Sequence, residues 1–270
     1  MNLLHHQITG TGGPAVVFVH GFTCAHDDWD AQVAAISPTH QTVAVDLRGH
    51  GQSPGTAADD ATIERYGADV AELMSALALG PVVLVGHSMG CRVVVEAALL
   101  APQQVVGIIL VDGSQLAPCM EEILKTFFAQ PLGYEEMTKS WFTEMFTATS
   151  HPATQASVVA RSARLPREIG EHLITDLQRY DVQCFTHALS MIQAPVLAIQ
   201  TTYINEIRER CSLTVGQDTP FLGMLRTAVH RLQVVVIPDT GHFPQLDNPD
   251  VTSQIMLDFL ADLPQPSTGE

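Results

Sequence analysis

Ser88 stands at the centre of Gly86-His87-Ser88-Met89-Gly90, a G-x-S-x-G string placed directly after the apolar run Pro81 to Gly86 (PVVLVG) and directly before the helical run Cys91 to Leu100 (CRVVVEAALL). A serine on a tight strand-to-helix turn has its Oγ pushed out above a sheet at a helix N-terminus, and the flanking glycines relieve the crowding there. The bland reading is a glycine-rich turn with an idle serine. A serine hydroxyl alone is a poor nucleophile, so the chemical reading demands a general base and an electrophilic stabiliser from elsewhere in the chain. Both are available. His242, in Thr240-Gly241-His242-Phe243-Pro244, follows the last strand-like run and belongs at the same sheet edge as Ser88. His20-Gly21-Phe22 follows the first central strand-like run, where a loop can bring the Phe22 amide beside that of Met89 as an oxyanion hole. The chemistry these residues imply is acyl transfer.

Elements that could position them recur along the chain. Runs rich in β-branched residues lie at Ala15 to His20, Thr42 to Asp46, Pro81 to Gly86, Val105 to Asp112, Pro195 to Gln200 and Leu232 to Pro238. They are continuously apolar, as strands covered on both faces must be. Amphipathic helical patterns separate them at Tyr66 to Leu79, Cys91 to Leu100, Pro220 to Arg231 and Asp250 to Leu263. This alternation predicts an α/β fold with a doubly wound, mostly parallel sheet. Ser114 to Gln193 breaks it, carrying helical patterns and no strand pattern, so the expected organisation is a core of residues 1–113 and 194–270 with a helical cap over 114–193. Within that interval Trp141, Phe142, Met145 and Phe146 have the spacing of one helical face, which either packs the cap onto the core or lines an apolar substrate pocket.

The ordered segments HGF, VDLRGHGQS, GHSMG, LVDGS and GHFPQLDNP make the chain resemble the α/β-hydrolase superfamily over almost its full length. The resemblance implies Ser88 as nucleophile, the loop at Phe22 as oxyanion loop and His242 as the terminal histidine. The family's usual first strand is missing, since the chain begins at what would be the second, Asn2 to Ile8. The acid departs from the pattern too. Most members carry it after the strand matching PVLAIQ, in a G-x-x-D turn, but here the loop reads Thr201-Thr202-Tyr203-Ile204-Asn205-Glu206. A minority place it one strand earlier, where this chain has Asp112. Asp112 is the preferred acid, Glu206 the alternative and Asp218 third; an aspartate ending a strand also serves as a turn cap.

Among other histidines, His87 beside the nucleophile reads as a packed elbow residue and His20 as a backbone-bonding loop residue, each with a lesser claim on the substrate pocket. His5, His6, His26 and His50 lack metal-ligand spacing with carboxylates, so no metal and no cofactor is expected.

Lys plus Arg number 13 against 29 Asp plus Glu, a formal charge of −16, and Lys125 and Lys139 are the sole lysines. Nucleic-acid and anionic-membrane partners, which need clustered cations, are excluded on that ground. Hydrophobic residues reach 46% and charged ones 16%, against roughly 25% charged in an ordinary domain, which signals a large core. Five widely spaced cysteines without a CxxC pair argue against a disulfide scaffold or zinc cluster. No basic n-region opens the chain and no apolar run approaches a bilayer span, so a soluble cytoplasmic protein of open oligomeric state is expected.

The expected function is hydrolysis of an ester, thioester or lactone of a neutral, fairly apolar small molecule through an acyl-enzyme on Ser88. The alternative is a cofactor-independent dioxygenase that cleaves a hydroxylated N-heteroaromatic ring, with His242 and Asp112 as base. It draws on the missing late acid, the HFPQLDNP segment and His26 six residues after His20, and against it stands Met89, where that branch tends to carry histidine. A third reading keeps the fold without the chemistry.

Overall fold

The computed structural model describes residues 3–264 other than 56, 117–119, 130–132, 149 and 206–208. The chain opens with β1 (His6–Thr9) and β2 (Ala15–Val19), then α1 (Asp30–Ile36), β3 (Thr42–Val45), α2 (Ile63–Ala76), β4 (Val82–His87), α3 (Gly90–Leu100) and β5 (Val105–Val111). Five helices follow: α4 (Met120–Phe128), α5 (Tyr134–Thr143), α6 (Pro152–Arg161), α7 (Arg167–Gln183) and α8 (Phe185–Met191). The chain then returns through β6 (Val196–Gln200), β7 (Thr202–Ile204), β8 (Arg210–Ser212), α9 (Pro220–Ala228), β9 (Leu232–Val236), α10 (Pro244–Asp247) and α11 (Pro249–Asp262).

Seven strands form one sheet in the order β1-β3-β2-β4-β5-β6-β9. All neighbours pair parallel except β1, which runs antiparallel to β3 with His6 opposite Val45. The expected α/β class and doubly wound sheet are therefore what the chain forms, and the antiparallel edge strand spans His6–Thr9, where Asn2 to Ile8 was expected.

The apolar runs alternate between two cores. Val17, Val19 and Leu84 face one that holds Tyr66 and Leu73 of α2 and Val93 of α3, while Val16, Phe18 and Val83 face the other, with Trp29, Ile36 of α1 and Met256 and Phe259 of α11. Central strands β2 and β4 are buried throughout. β9 at the sheet edge is half-buried, so its apolar run does not mean cover on both faces there.

The strand order reverses between β2 and β4: the chain leaves β2 toward β3 on one side, then crosses back to β4 on the other. Loops leaving these two carboxyl ends part in opposite directions and open a crevice, the usual ligand position in open parallel sheets. The loop after β2 carries Phe22, and the turn after β4 carries Ser88.

Candidate active site

The turn after β4 is tight enough to force Ser88 into the left-handed region at φ 53°. Both flanking glycines are steric requirements: a Cβ on Gly86 would lie 2.3 Å from the Gly90 carbonyl oxygen, and one on Gly90 would lie 2.6 Å from the Val19 carbonyl oxygen. The Ser88 amide is tied to the Val111 carbonyl at 3.0 Å, locking the elbow to the adjacent strand.

From this elbow the Ser88 Oγ lies 2.9 Å from His242 Nε2, and His242 Nδ1 lies 2.6 Å from Asp112 Oδ2. Three residues from three loops thus form one hydrogen-bonded line at the carboxyl edge. Asp112 follows β5 with φ 41°, a strained turn that lifts its carboxylate above the strand end. Its Oδ1 accepts the Thr201 and Thr202 amides, each at 2.8 Å, and its Oδ2 accepts the Thr202 hydroxyl at 2.5 Å. Burial alone would raise the carboxyl's proton affinity, but His242, Arg210 and Thr202 outweigh it and hold the pKa below the ordinary value. Of the other acids considered, Asp218 is exposed and pairs with Arg226, and Glu206 lies outside the described residues.

His242 is 3% exposed. Desolvation, reinforced by the charge of Arg210 and only partly offset by Asp112, lowers its pKa to about 4. Its backbone is fixed by donation to the Met145 carbonyl at 2.9 Å, and its own carbonyl accepts from His87 Nε2 at 2.8 Å. His87 is therefore a packed elbow residue that also borders the cavity over Ser88, its ring 4.8 Å from that of His242; burial drives its pKa down to about 3.

Gly21 approaches the elbow so closely that a Cβ on it would stand 3.2 Å from Ser88 Cβ. That contact brings the loop after β2 beside the turn after β4. Among the described residues neither the Phe22 amide nor the Met89 amide has a hydrogen-bond acceptor.

A cavity opens over Ser88, walled by Phe22, Met89, Trp141, Phe142, Met145 and Phe243, with Leu116, Ile174 and Leu177 further round. The helical segment between β5 and β6 supplies much of that wall. Trp141 and Phe142 sit at the end of α5, but the helix stops at Thr143, so Met145 and Phe146 lie in the turn beyond it rather than on one continuous helical face. Met145 still reaches the cavity. Phe146 does not; it stacks on Phe243 with ring centroids 5.0 Å apart. His20 is also absent from the lining: its Nδ1 donates to the Gly21 carbonyl at 2.7 Å and its Nε2 accepts the Leu47 amide at 3.0 Å, a structural strut.

No motif or periodicity in the sequence marks Arg210. β7 and β8 pair antiparallel in a separate two-stranded ribbon that follows β6, and this ribbon delivers the guanidinium to the cavity wall. Its Nη1 lies 2.7 Å from Thr202 Oγ1 and 3.2 Å from His242 Nδ1. Since the Nδ1 proton is directed to Asp112, the second contact is electrostatic and opposes a charge on the imidazole. The available signal was a cation in the interval where the family most often keeps its acid.

His5, His26 and Asp46, which have no common sequence spacing, meet with their potential ligand atoms within 4.8 Å of one another. The Asp46 carboxylate there accepts from both imidazoles and from the amides of His26 and Gln52, joining the start of the chain to the VDLRGHGQS loop. Cys24 and Cys91 are buried with raised thiol pKa values, Cys91 to about 12, both chiefly through desolvation. Among the described residues no helix is long and apolar enough to cross a membrane.

The chain is similar to known proteins in sequence and in fold. The acetyltransferase component of the acetoin cleaving system of Cupriavidus necator is 29% identical over 171 residues, a match covering 63% of this chain and 41% of that protein. RutD of Escherichia coli, assigned as a carbamate hydrolase, is 25% identical over 264 residues, covering 93% of this chain and 92% of its own. A thermophilic esterase from Thermogutta terrifontis, solved with malate bound, superposes with a TM-score of 0.75 at 25% identity, over 96% of this chain and 93% of that one. The model of the alpha/beta hydrolase family matches residues 16–255, and the chain belongs to that family.

Proposed function

We propose that the protein is a serine hydrolase that cleaves a carboxylic ester, thioester or lactone through an acyl-enzyme on Ser88. The observation that carries this reading is the continuous line from Ser88 Oγ through His242 to Asp112, at 2.9 and 2.6 Å. As Oγ attacks the carbonyl carbon, its proton passes to His242 Nε2 and the carbonyl π electrons move onto oxygen. In this reading the Phe22 and Met89 amides, which have no acceptor among the described residues, receive that oxyanion. When the intermediate collapses, the leaving oxygen or sulfur departs with the Nε2 proton. Water then gives a proton to His242, attacks the acyl carbon, and Ser88 leaves with the proton returned. Asp112 holds Nδ1–H so that Nε2 faces the serine, and it offsets the transient imidazolium charge.

Residues 114–193 act in this reading as a cap on a core of residues 1–113 and 194–270, and the apolar wall fits a fairly apolar small molecule. The expectation of a neutral substrate came from the overall charge of −16, a whole-molecule argument that does not see Arg210. The dioxygenase reading is not favoured. His26 is turned to Asp46 outside the cavity, Ser88 is bonded to the base itself, and the full-length relatives above are named for hydrolysis.

Incubation with a fluorophosphonate followed by mass spectrometry tests the reading: the adduct is expected on Ser88, and Ser88→Ala is expected to lose label and at least about 10⁴-fold of ester turnover. Undiminished turnover by the alanine variant overturns it.

A further inference from the structure

We propose that Arg210 anchors a carboxylate on the substrate, so that the ester cleaved here bears a free carboxylate a few bonds from the carbonyl. The inference deepens the hydrolase reading and rests on it. Its basis is an arginine with spare hydrogen-bonding capacity beside the nucleophile. Arg210 lines the cavity over Ser88, and its side chain is only 14% exposed. A guanidinium has five N–H donors. Here Nη1 donates to Thr202 Oγ1 at 2.7 Å, and among the described residues the nearest carboxylate, Asp112 Oδ2, is 3.8 Å away, beyond hydrogen-bond reach. Among the described residues no acceptor takes the Nε or Nη2 protons.

The contrast with Arg92, in the same wall, is instructive. Arg92 forks onto Asp181 with Nε to Oδ1 at 2.9 Å and Nη2 to Oδ2 at 2.7 Å, gives Nη1 to the Ser88 carbonyl at 2.9 Å, and is 1% exposed. That cation is fully matched. Arg210 is not, and Asp112 cannot turn to it, because both its oxygens already accept from Thr201, Thr202 and His242.

An under-paired cation in an apolar wall is costly, and here it also works against the base, since its charge opposes protonation of His242. A substrate carboxylate reverses both penalties. It takes the open N–H fork, with charge-assisted bonds, and it cancels the field that weakens His242 once substrate is bound. A carboxylate fits better than a phosphate dianion because the site offers one unmatched cation, Asp112 stands close behind it, and the molecule as a whole carries −16.

Two readouts test the anchor separately from the chemistry. In the first, 4-nitrophenyl hydrogen glutarate and 4-nitrophenyl pentanoate, alike except for carboxylate in place of methyl, are compared by kcat/KM. The wild type is expected to favour the carboxylate ester, and Arg210→Met is expected to shrink that ratio about 10- to 100-fold, with Arg210→Lys between them. Because a bound carboxylate also screens His242 from Arg210, part of a change in this ratio runs through the base, and the second readout, which needs no proton transfer, isolates the anchor. In the second, calorimetry on Ser88→Ala, which needs no turnover, compares monomethyl glutarate with dimethyl glutarate; the free acid is expected to bind at least about 10-fold tighter, an advantage removed by adding Arg210→Met. Equal binding of the two by Ser88→Ala, or an ester ratio untouched by both Arg210 variants, overturns the anchor while leaving a hydrolase. Preserved binding preference with no turnover of either ester and no Ser88 adduct overturns the hydrolase reading and leaves the anchor standing.

Discussion

His242 works between opposite charges. Asp112 on one side favours its cation and Arg210 on the other disfavours it, and with burial added its pKa comes down to about 4. In the proposed mechanism only the neutral imidazole can take the Ser88 proton, so turnover is expected to hold from neutral pH downward and to fall as pH drops through about 4. Removing the cation by Arg210→Met leaves burial but deletes the opposing field, so proton affinity rises and the acid limb of the kcat/KM profile is expected to move to higher pH. A profile of the neutral ester over the acid range, in wild type and variant, reads both expectations; a limb that moves the other way would remove Arg210 from the electrostatics of the base.

Elements set where such residues can stand. The elbow between β4 and α3 is built against backbone, not against side chains that can swing aside: a Cβ on Gly90 meets the Val19 and His20 carbonyl oxygens at 2.6 and 2.7 Å. Gly90→Ala is therefore expected to cost about 3 kcal/mol or more, seen as a lowered urea midpoint, together with loss of Ser88 labelling. The helical segment is pinned to the sheet through a different device. Arg92 on α3 and Asp181 on α7 form a fork with side-chain exposures of 1% and 0%. Asp181→Ala leaves the guanidinium buried without its carboxylate and is expected to destabilise by about 3–5 kcal/mol, a loss that equilibrium urea unfolding would register. Since Arg92 also holds the Ser88 carbonyl, activity is expected to suffer in the fraction that remains folded.

Across the whole molecule, four buried histidines are kept neutral. Desolvation lowers His242 and His50 to about 4, His87 to about 3, and His20 well below its ordinary value. The unfolded chain protonates these imidazoles near pH 6.5, whereas the folded chain resists until much lower pH, so between those limits the unfolded state binds more protons. Their contribution to stability is thus complete above about pH 6.5 and is lost as pH falls toward 4, with a slope approaching about 1.4 kcal/mol per pH unit for each group. Urea midpoints measured from pH 7 to pH 4.5 are expected to fall steadily; a flat profile would mean that these rings are charged or exposed.

Much of this architecture was legible in residue order alone. Continuous β-branched runs can be satisfied only by strands covered on both sides, and helical patterns between them leave a parallel sheet as the economical arrangement, so the fold class followed from local patterning. Ser88 and His242 were legible for the same reason: each ends or follows a recognisable strand, and parallel strands bring their carboxyl ends to one edge. The single helical face expected of Trp141, Phe142, Met145 and Phe146 breaks because α5 ends at Thr143, and periodicity cannot tell a helix from the turn that continues its apolar pattern; Phe146 packs on Phe243 instead of lining the cavity. Arg210 escaped altogether. β7 and β8 span three residues each, too short for a period to register, and a charged residue in such a stretch reads as solvated surface. Which carboxylate meets His242 depends on the distance between segments 130 residues apart, and which cation stands behind it on the distance between segments 32 residues apart. Local pattern carries no information about such distances until the sheet assembles and brings the loops together.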